Sequence, residues 1–280
     1  MMEIILAREY GFCFGVRRAI GLAEETLRSG KKVASLGPII HNPLEVSRLE
    51  SIGLRVIDDI NELKEGESIL IRSHGVPLEV IQELKDRDID IIDATCPLVA
   101  RAQRMVDFLS SEGYKVIIAG EQGHPEVKGL VSYGKGNTFV VSSLEEVPDL
   151  SKEKVGIVGQ TTFSIERFRE IVGEVVSRSW EVRIFNTLCN ASRKRQKAVE
   201  ELVDKTDVII VIGGKNSANT RRLVDIVESK GATVYHIESW DEVLAEWFVG
   251  KEKIGITAGA STPDWVIDKV LEKIKRLCFQ

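Results

Sequence analysis

The chain has 280 residues, 43% of them hydrophobic, and a formal net charge of −5. That size and apolar content support real cores in one large domain or two to three small ones, which argues against a disordered chain. The acidic balance argues against nucleic acid as the main partner, and no apolar run approaches the ~20 residues of a membrane helix, so no membrane association and a cytoplasmic location are expected.

The elements alternate between strand and helix patterns from the start. MEIILA reads as a strand leading into Cys13, and CFGVRRAIGLAEETL reads as an amphipathic helix. KKVASLG is a strand that closes on a glycine before His41, and ILIRSHG is a second strand that delivers His74. DIDIIDATC then carries the chain into Cys96, and the order repeats: helix CPLVARAQRMVDFL, strand YKVIIAG, His124 with Glu126 in GHPEVKG, then VGIVGQTT with Thr161 and Thr162. A third pass begins at WEVRIFNTLC with Cys189, continues through CNASRKRQKAVEEL and DVIIVIGG to Ser217 and Asn219, and ends at IGITAGAS with Ser261 and a last helix, STPDWVIDKVLEKIKRL.

The spacing makes this a repeat. Cys13, Cys96 and Cys189 each stand twenty-eight residues before His41, His124 and Ser217, in units of about ninety residues, the size of a small domain. The expected fold is therefore α/β: three similar small α/β domains with mainly parallel sheets in a pseudo-threefold arrangement, since parallel neighbours need crossover helices. The domains are expected at 10–95, at 96–188, and at 189–280 with 1–9, because only the third unit lacks its closing strand and the N-terminal strand can supply it.

Three cysteines at helix N-termini, where the dipole favours a thiolate, would meet at one point if the units pack around a common axis. Three thiolates without a fourth can hold zinc with an open position or a [4Fe–4S] cluster with one iron lacking a protein ligand. Cys278, in KIKRLCFQ, falls outside the pattern and reads as a tail residue that ligates nothing. His236, in TVYHIESW, is likewise assigned to structure. The donors in the loops, His41, His74, His124, Ser217, Asn219 and Ser261, stand beside glycines that let backbone N–H groups approach a ligand, as a phosphate or diphosphate requires. Glu126 is placed either to pass a proton or to sit as a helix first-turn carboxylate, and Thr161 and Thr162 either to relay that proton or to cap the following helix. The basic residues near each cysteine, Arg17 and Arg18, Arg101 and Arg104, and Arg193 to Arg195, read as solvated helix faces or as charge that offsets an anionic site. No Walker A or GxGxxG pattern follows a strand, so ATP and NAD are not indicated.

The ordered set GFCFGVRRAI, GPIIHNP, SHGVP, DATCPLV, GHPEVKG, GQTTFS, NTLCNASRKRQ, GGKNSANT and GASTPDW closely resembles the 4-hydroxy-3-methylbut-2-enyl diphosphate reductases over essentially the whole chain. The resemblance implies a trefoil-like assembly around a central cluster, ligated by Cys13, Cys96 and Cys189. It implies diphosphate binding by His41, His74, His124, Ser217, Asn219 and Ser261, proton donation by Glu126 through His124, Thr161 or the diphosphate itself, and Thr161 near the substrate hydroxyl. Some members have a second serine where this chain has Ala218. It further implies a two-electron reduction that releases the allylic hydroxyl as water and yields isopentenyl and dimethylallyl diphosphates, fed by a ferredoxin- or flavodoxin-like donor. Set against this are a zinc-dependent hydrolase of a phosphorylated metabolite, with Glu126 as base, and a non-enzymatic Fe–S sensor.

Overall fold

The computed structural model describes residues 2–40, 42–151, 153–215 and 217–279. The described chain contains three four-stranded sheets, every strand pair parallel. It parts into two compact units, one of residues 1–17, 40–51 and 190–280 and the other of residues 18–39 and 52–189. Among the described residues no helix is long and apolar enough to cross a membrane.

The second unit holds two sheets. In one, β2 (Lys32–Leu36), β3 (Leu54–Ile57), β4 (Glu67–Ile71) and β5 (Ile91–Asp93) take the order β3-β2-β4-β5. In the other, β6 (Lys115–Ala119), β7 (Thr138–Val141), β8 (Lys154–Gly159) and β9 (Glu181–Phe185) take the order β7-β6-β8-β9. The first unit holds β10 (Val208–Ile212), β11 (Val234–Ile237) and β12 (Lys253–Ala258), and β1 (Glu3–Leu6) completes its sheet in the order β1-β12-β10-β11. All three sheets share one plan. The fourth place, filled in the others by a strand that leads into the next cysteine, is filled here by the chain's first strand, with Glu3 opposite Lys253 and Leu6 opposite Ile256.

Of helices α1 (Phe14–Arg28), α2 (Pro43–Ser51), α3 (Leu78–Asp86), α4 (Pro97–Ser111), α5 (Pro125–Ser132), α6 (Ile165–Arg178), α7 (Asn190–Val203), α8 (Ala218–Ser229) and α9 (Asp264–Phe279), α2, α3, α5, α6 and α8 cross between parallel neighbours within a sheet, α1, α4 and α7 lead from one sheet to the next, and α9 follows β12. Central parallel strands are covered on both faces, so β10 reads VIIVI with every residue buried. Each such Ile or Val contributes about 1.5–3 kcal/mol by leaving water. The helices bury one stripe: in α4 it is Val99, Ala102, Gln103, Val106 and Leu109, at helical spacing behind a proline that opens the first turn. This geometry puts every strand's C-terminal end, and the loop after it, at the same edge of its sheet, the edge where ligands bind in α/β sheets.

Candidate active site

Each cysteine sits in the same backbone setting. The N–H of Cys13 donates to the Ala260 carbonyl at 3.1 Å, that of Cys96 to Ser73 at 2.9 Å, and that of Cys189 to Thr161 at 2.6 Å. Those acceptors lie in the loops after β12, β4 and β8. The turn that presents each thiol is therefore anchored to the loop that carries a candidate ligand: Ser261 follows Ala260, His74 follows Ser73, and Thr161 is the acceptor itself. All three thiols are half-buried at the start of a helix, and Val16 N–H approaches Cys13 Sγ at 3.5 Å.

In the second unit these anchors join into one run of contacts between two of the cysteines. From Cys96 the path goes through the Ser73 carbonyl to His74, whose ring meets that of His124 edge-on with centroids 5.9 Å apart. His124 caps α5, its Nδ1 accepting the Glu126 N–H at 3.2 Å, which assigns the ring proton of a neutral His124 to Nε2. The Glu126 carboxyl in turn meets Thr161, with Oε1 accepting the backbone N–H at 2.6 Å and Oε2 the hydroxyl at 2.8 Å. The Thr161 carbonyl then accepts the Cys189 N–H, closing the run.

Glu126 is 1% exposed. Burial pushes its carboxyl up to about 7, against the two Thr161 hydrogen bonds, which favour the charged form. A helix first-turn carboxylate held only by the dipole would be solvated and ionised. This one is a buried acid poised between its two protonation states near neutrality, the condition for proton transfer. Thr161 is thus a partner of the acid, and the capping role belongs to Ser164, whose hydroxyl accepts the Arg167 N–H.

In the first unit Ser217 caps α8 by accepting the Thr220 N–H at 3.4 Å. Asn219 follows on the same first turn, and its buried Nδ2 has no hydrogen-bond partner among the described residues. Ser261 is buried beside Thr262, whose hydroxyl donates to the Ile212 carbonyl at 2.9 Å. His41 lies outside the described residues.

Several supporting residues left no signal in the sequence pattern. Arg195, expected on a solvated face or offsetting an anionic site, is 3% exposed and donates to the Gly11 carbonyl at 2.7 Å, bracing the turn that presents Cys13. Arg18 braces the Cys96 turn through the Thr95 and Asp93 carbonyls, both at 3.2 Å. Arg193 and Lys194 are exposed, as a solvated face requires, and Arg17 pairs with Asp264 at 2.9 Å. Gln160 ties the two loops of the second repeat, accepting from Glu121 N–H and donating to the Thr162 hydroxyl, both at 2.9 Å. His236 bonds the Gly213 carbonyl at 2.8 Å, a structural contact, and Cys278 packs against the core under α9. Long-range bonds of this kind have no periodicity; only the loop equivalence among the repeats could have pointed to Gln160.

Among the described residues no three His, Cys, Asp or Glu side chains are gathered at the distances a single metal ion demands. The donor chemistry, rather than a preformed cage, tests the fit of a metal group. Three thiols in matched backbone settings are soft donors, of the type an iron–sulfur cluster takes.

A family model described as LytB protein matches residues 4–275. A 4-hydroxy-3-methylbut-2-enyl diphosphate reductase from Campylobacter lari is 48% identical over 276 residues, covering 98% of each chain. One of the same name from Aquifex aeolicus is 48% identical over 285 residues, covering 99% of this chain and 98% of its own. A solved structure of (E)-4-hydroxy-3-methyl-but-2-enyl diphosphate reductase, described as the terminal enzyme of the non-mevalonate pathway, matches with a TM-score of 0.80 at 47% identity, over 99% of this chain and all of that one. The E-1-hydroxy-2-methyl-but-2-enyl-4-diphosphate reductase structure from Plasmodium falciparum matches with a TM-score of 0.88 at 26% identity, over 98% of this chain and 88% of that one. With 98–99% of its length matched by such relatives, the chain belongs to the LytB family of 4-hydroxy-3-methylbut-2-enyl diphosphate reductases.

Proposed function

We propose that this chain reduces (E)-4-hydroxy-3-methylbut-2-enyl diphosphate to isopentenyl and dimethylallyl diphosphates, consuming two electrons and two protons and releasing the allylic hydroxyl as water. The observation that carries the reading is the buried Glu126–Thr161 pair, standing in the run of contacts that links Cys96 to Cys189. A hydrolase needs an ionised base beside water. Reductive loss of a hydroxyl needs a neutral acid beside a source of electrons, and burial keeps much of Glu126 neutral up to about 7.

In this reading Cys13, Cys96 and Cys189 hold a [4Fe–4S] cluster with one iron lacking a protein ligand, which supplies the electrons when bound. A ferredoxin- or flavodoxin-like protein is the donor to it, and the enzyme works in the cytoplasm. His41, His74, His124, Ser217, Asn219 and Ser261 bind the diphosphate. Imidazole N–H, hydroxyl and amide donors, together with the N-termini of α5 and α8, suit its oxygens. Thr161 orients the substrate hydroxyl, and its own hydroxyl stays within reach of Glu126 Oε2 in either protonation state of the acid. Glu126 gives up its proton to the departing oxygen and, once reprotonated, serves the carbon skeleton. The chain would be organised as successive repeats at 10–95, 96–188, and 189–280 with 1–9.

Anaerobically prepared protein is expected to be brown, to carry about four irons and four acid-labile sulfides, and to turn over with dithionite and a dye. Colourless protein with one zinc, or a cluster protein that binds the diphosphate without releasing isoprenoid products, overturns the proposal.

A further inference from the structure

The loops after β4, β8 and β12 are aligned by the three cysteine N–H bonds to Ser73, Thr161 and Ala260. The residue before each acceptor is therefore a counterpart of the others: Arg72, Gln160 and Gly259. Arg72 and Gln160 each lie over the glycine that follows the neighbouring strand. A Cβ on Gly37 would come 2.8 Å from Arg72 Nη1, and one on Gly120 would come 3.0 Å from Gln160 Oε1. Gly37, at φ +73°, also needs the left-handed backbone that glycine tolerates.

Gln160 is satisfied in this place because its amide both accepts and donates: Glu121, the residue after Gly120, supplies the N–H, and Thr162 the acceptor. The residue after Gly37 is Pro38, which has no N–H, and a guanidinium could not accept one. Among the described residues Arg72 has no carboxylate partner, and its buried Nε has no hydrogen bond. Burial alone acts on it, holding its pKa below the ordinary arginine value, the mark of a charge that its surroundings do not offset. An arginine stays protonated, so this half-buried cation needs an anion.

We propose that Arg72 is a further diphosphate-binding residue, its guanidinium fork taking substrate oxygens in the loop that also presents His74. This deepens the reading above and rests on it. The fork supplies a permanent positive charge and two parallel donors, where a hydroxyl supplies one donor and a carboxamide no charge. It makes the first repeat the strongest anion-holding part of the loop set, whereas the counterpart Gln160 spends its side chain on bracing the proton-transfer loop.

The test is titration of the cluster-loaded enzyme with inorganic pyrophosphate, over a range of salt concentrations, in the parent, Arg72→Gln, Arg72→Lys and Asn219→Ala. Gln is the residue that the second repeat already accommodates at this place. Arg72→Gln is expected to weaken pyrophosphate binding about tenfold, flatten its salt dependence and raise KM, while iron content stays at the parent value. Arg72→Lys is expected to recover the salt dependence and part of the affinity. Should Arg72→Gln bind like the parent with the same salt slope while Asn219→Ala binds more weakly, Arg72 only fills space and this inference fails alone. A parent enzyme that turns substrate over yet shows no affinity for pyrophosphate overturns the diphosphate-loop reading together with the role of Arg72.

Discussion

The loops of the second and third repeats have the same backbone plan and opposite degrees of completion. In the second, His124 caps α5 and the residue two places on, Glu126, has both carboxyl oxygens engaged by Thr161. In the third, Ser217 caps α8 and the residue two places on, Asn219, keeps a buried Nδ2 without a partner among the described residues. A closed loop with a buried acid is equipped to hold a proton, whereas an open one with an unspent donor is equipped to receive an anion. On the proposed function, one repeated scaffold separates proton chemistry from substrate retention.

Removing the distinguishing group at each of these two positions breaks the comparison most strongly. Glu126→Gln is expected to lower turnover by about 10²–10⁴-fold, since a carboxamide cannot donate the proton, with pyrophosphate affinity and iron content preserved. Steady-state rates beside binding isotherms check this, and retained activity would remove Glu126 from the reaction. Asn219→Ala is expected to do the reverse, weakening pyrophosphate about tenfold and leaving the pH profile of turnover in place.

The pH dependence sharpens the same contrast. Turnover is expected to fall as pH rises through about 7, where Glu126 ionises. Thr161→Val is expected to move that limb upward, because the lost hydroxyl had favoured the carboxylate. Stability follows the same sign. The folded carboxyl keeps its proton above the ordinary 4.5, so its contribution is complete below that value and is lost as pH rises through about 7. The stability of Glu126→Gln relative to the parent should therefore rise by at most about 3 kcal/mol between pH ~5 and pH ~8, measured by denaturant unfolding at each pH. The smallest effect is expected from Cys278→Ser, which should leave iron content untouched. Cys96→Ser should abolish it, and iron lost from the Cys278 variant would mean that the cysteines were misassigned.

Much of the fold was legible because each local signal occurs three times. An apolar run closing on glycine is ambiguous once, but KKVASLG, YKVIIAG and DVIIVIGG at matching distances from a cysteine identify β2, β6 and β10. The place of β1 followed from the same comparison, since the third unit had a vacancy where the others have β5 and β9. The candidate residues were legible as a set, but their division of labour was not. Nothing in GHPEVKG distinguishes a solvated first-turn carboxylate from one that burial keeps partly neutral, because that depends on Thr161, thirty-five residues away in sequence. Nor does SRKRQ distinguish the buried Arg195 from its exposed neighbours Arg193 and Lys194, since its acceptor is the Gly11 carbonyl at the other end of the chain.

The pairing of β1 with β12 has a consequence for biosynthesis. A ribosome releases β1 long before its hydrogen-bonding partner exists, so β1 must wait, unpaired, while the residues up to β12 are translated. Cys13 shares that wait, because its backbone anchor is Ala260. Nascent protein can complete the two sheets of residues 18–39 and 52–189 while still tethered, but the turn around its earliest thiol takes shape only after the final strand clears the exit tunnel. The setting of Cys13 is thereby completed later than those of Cys96 and Cys189, whose anchors, Ser73 and Thr161, precede them in the chain.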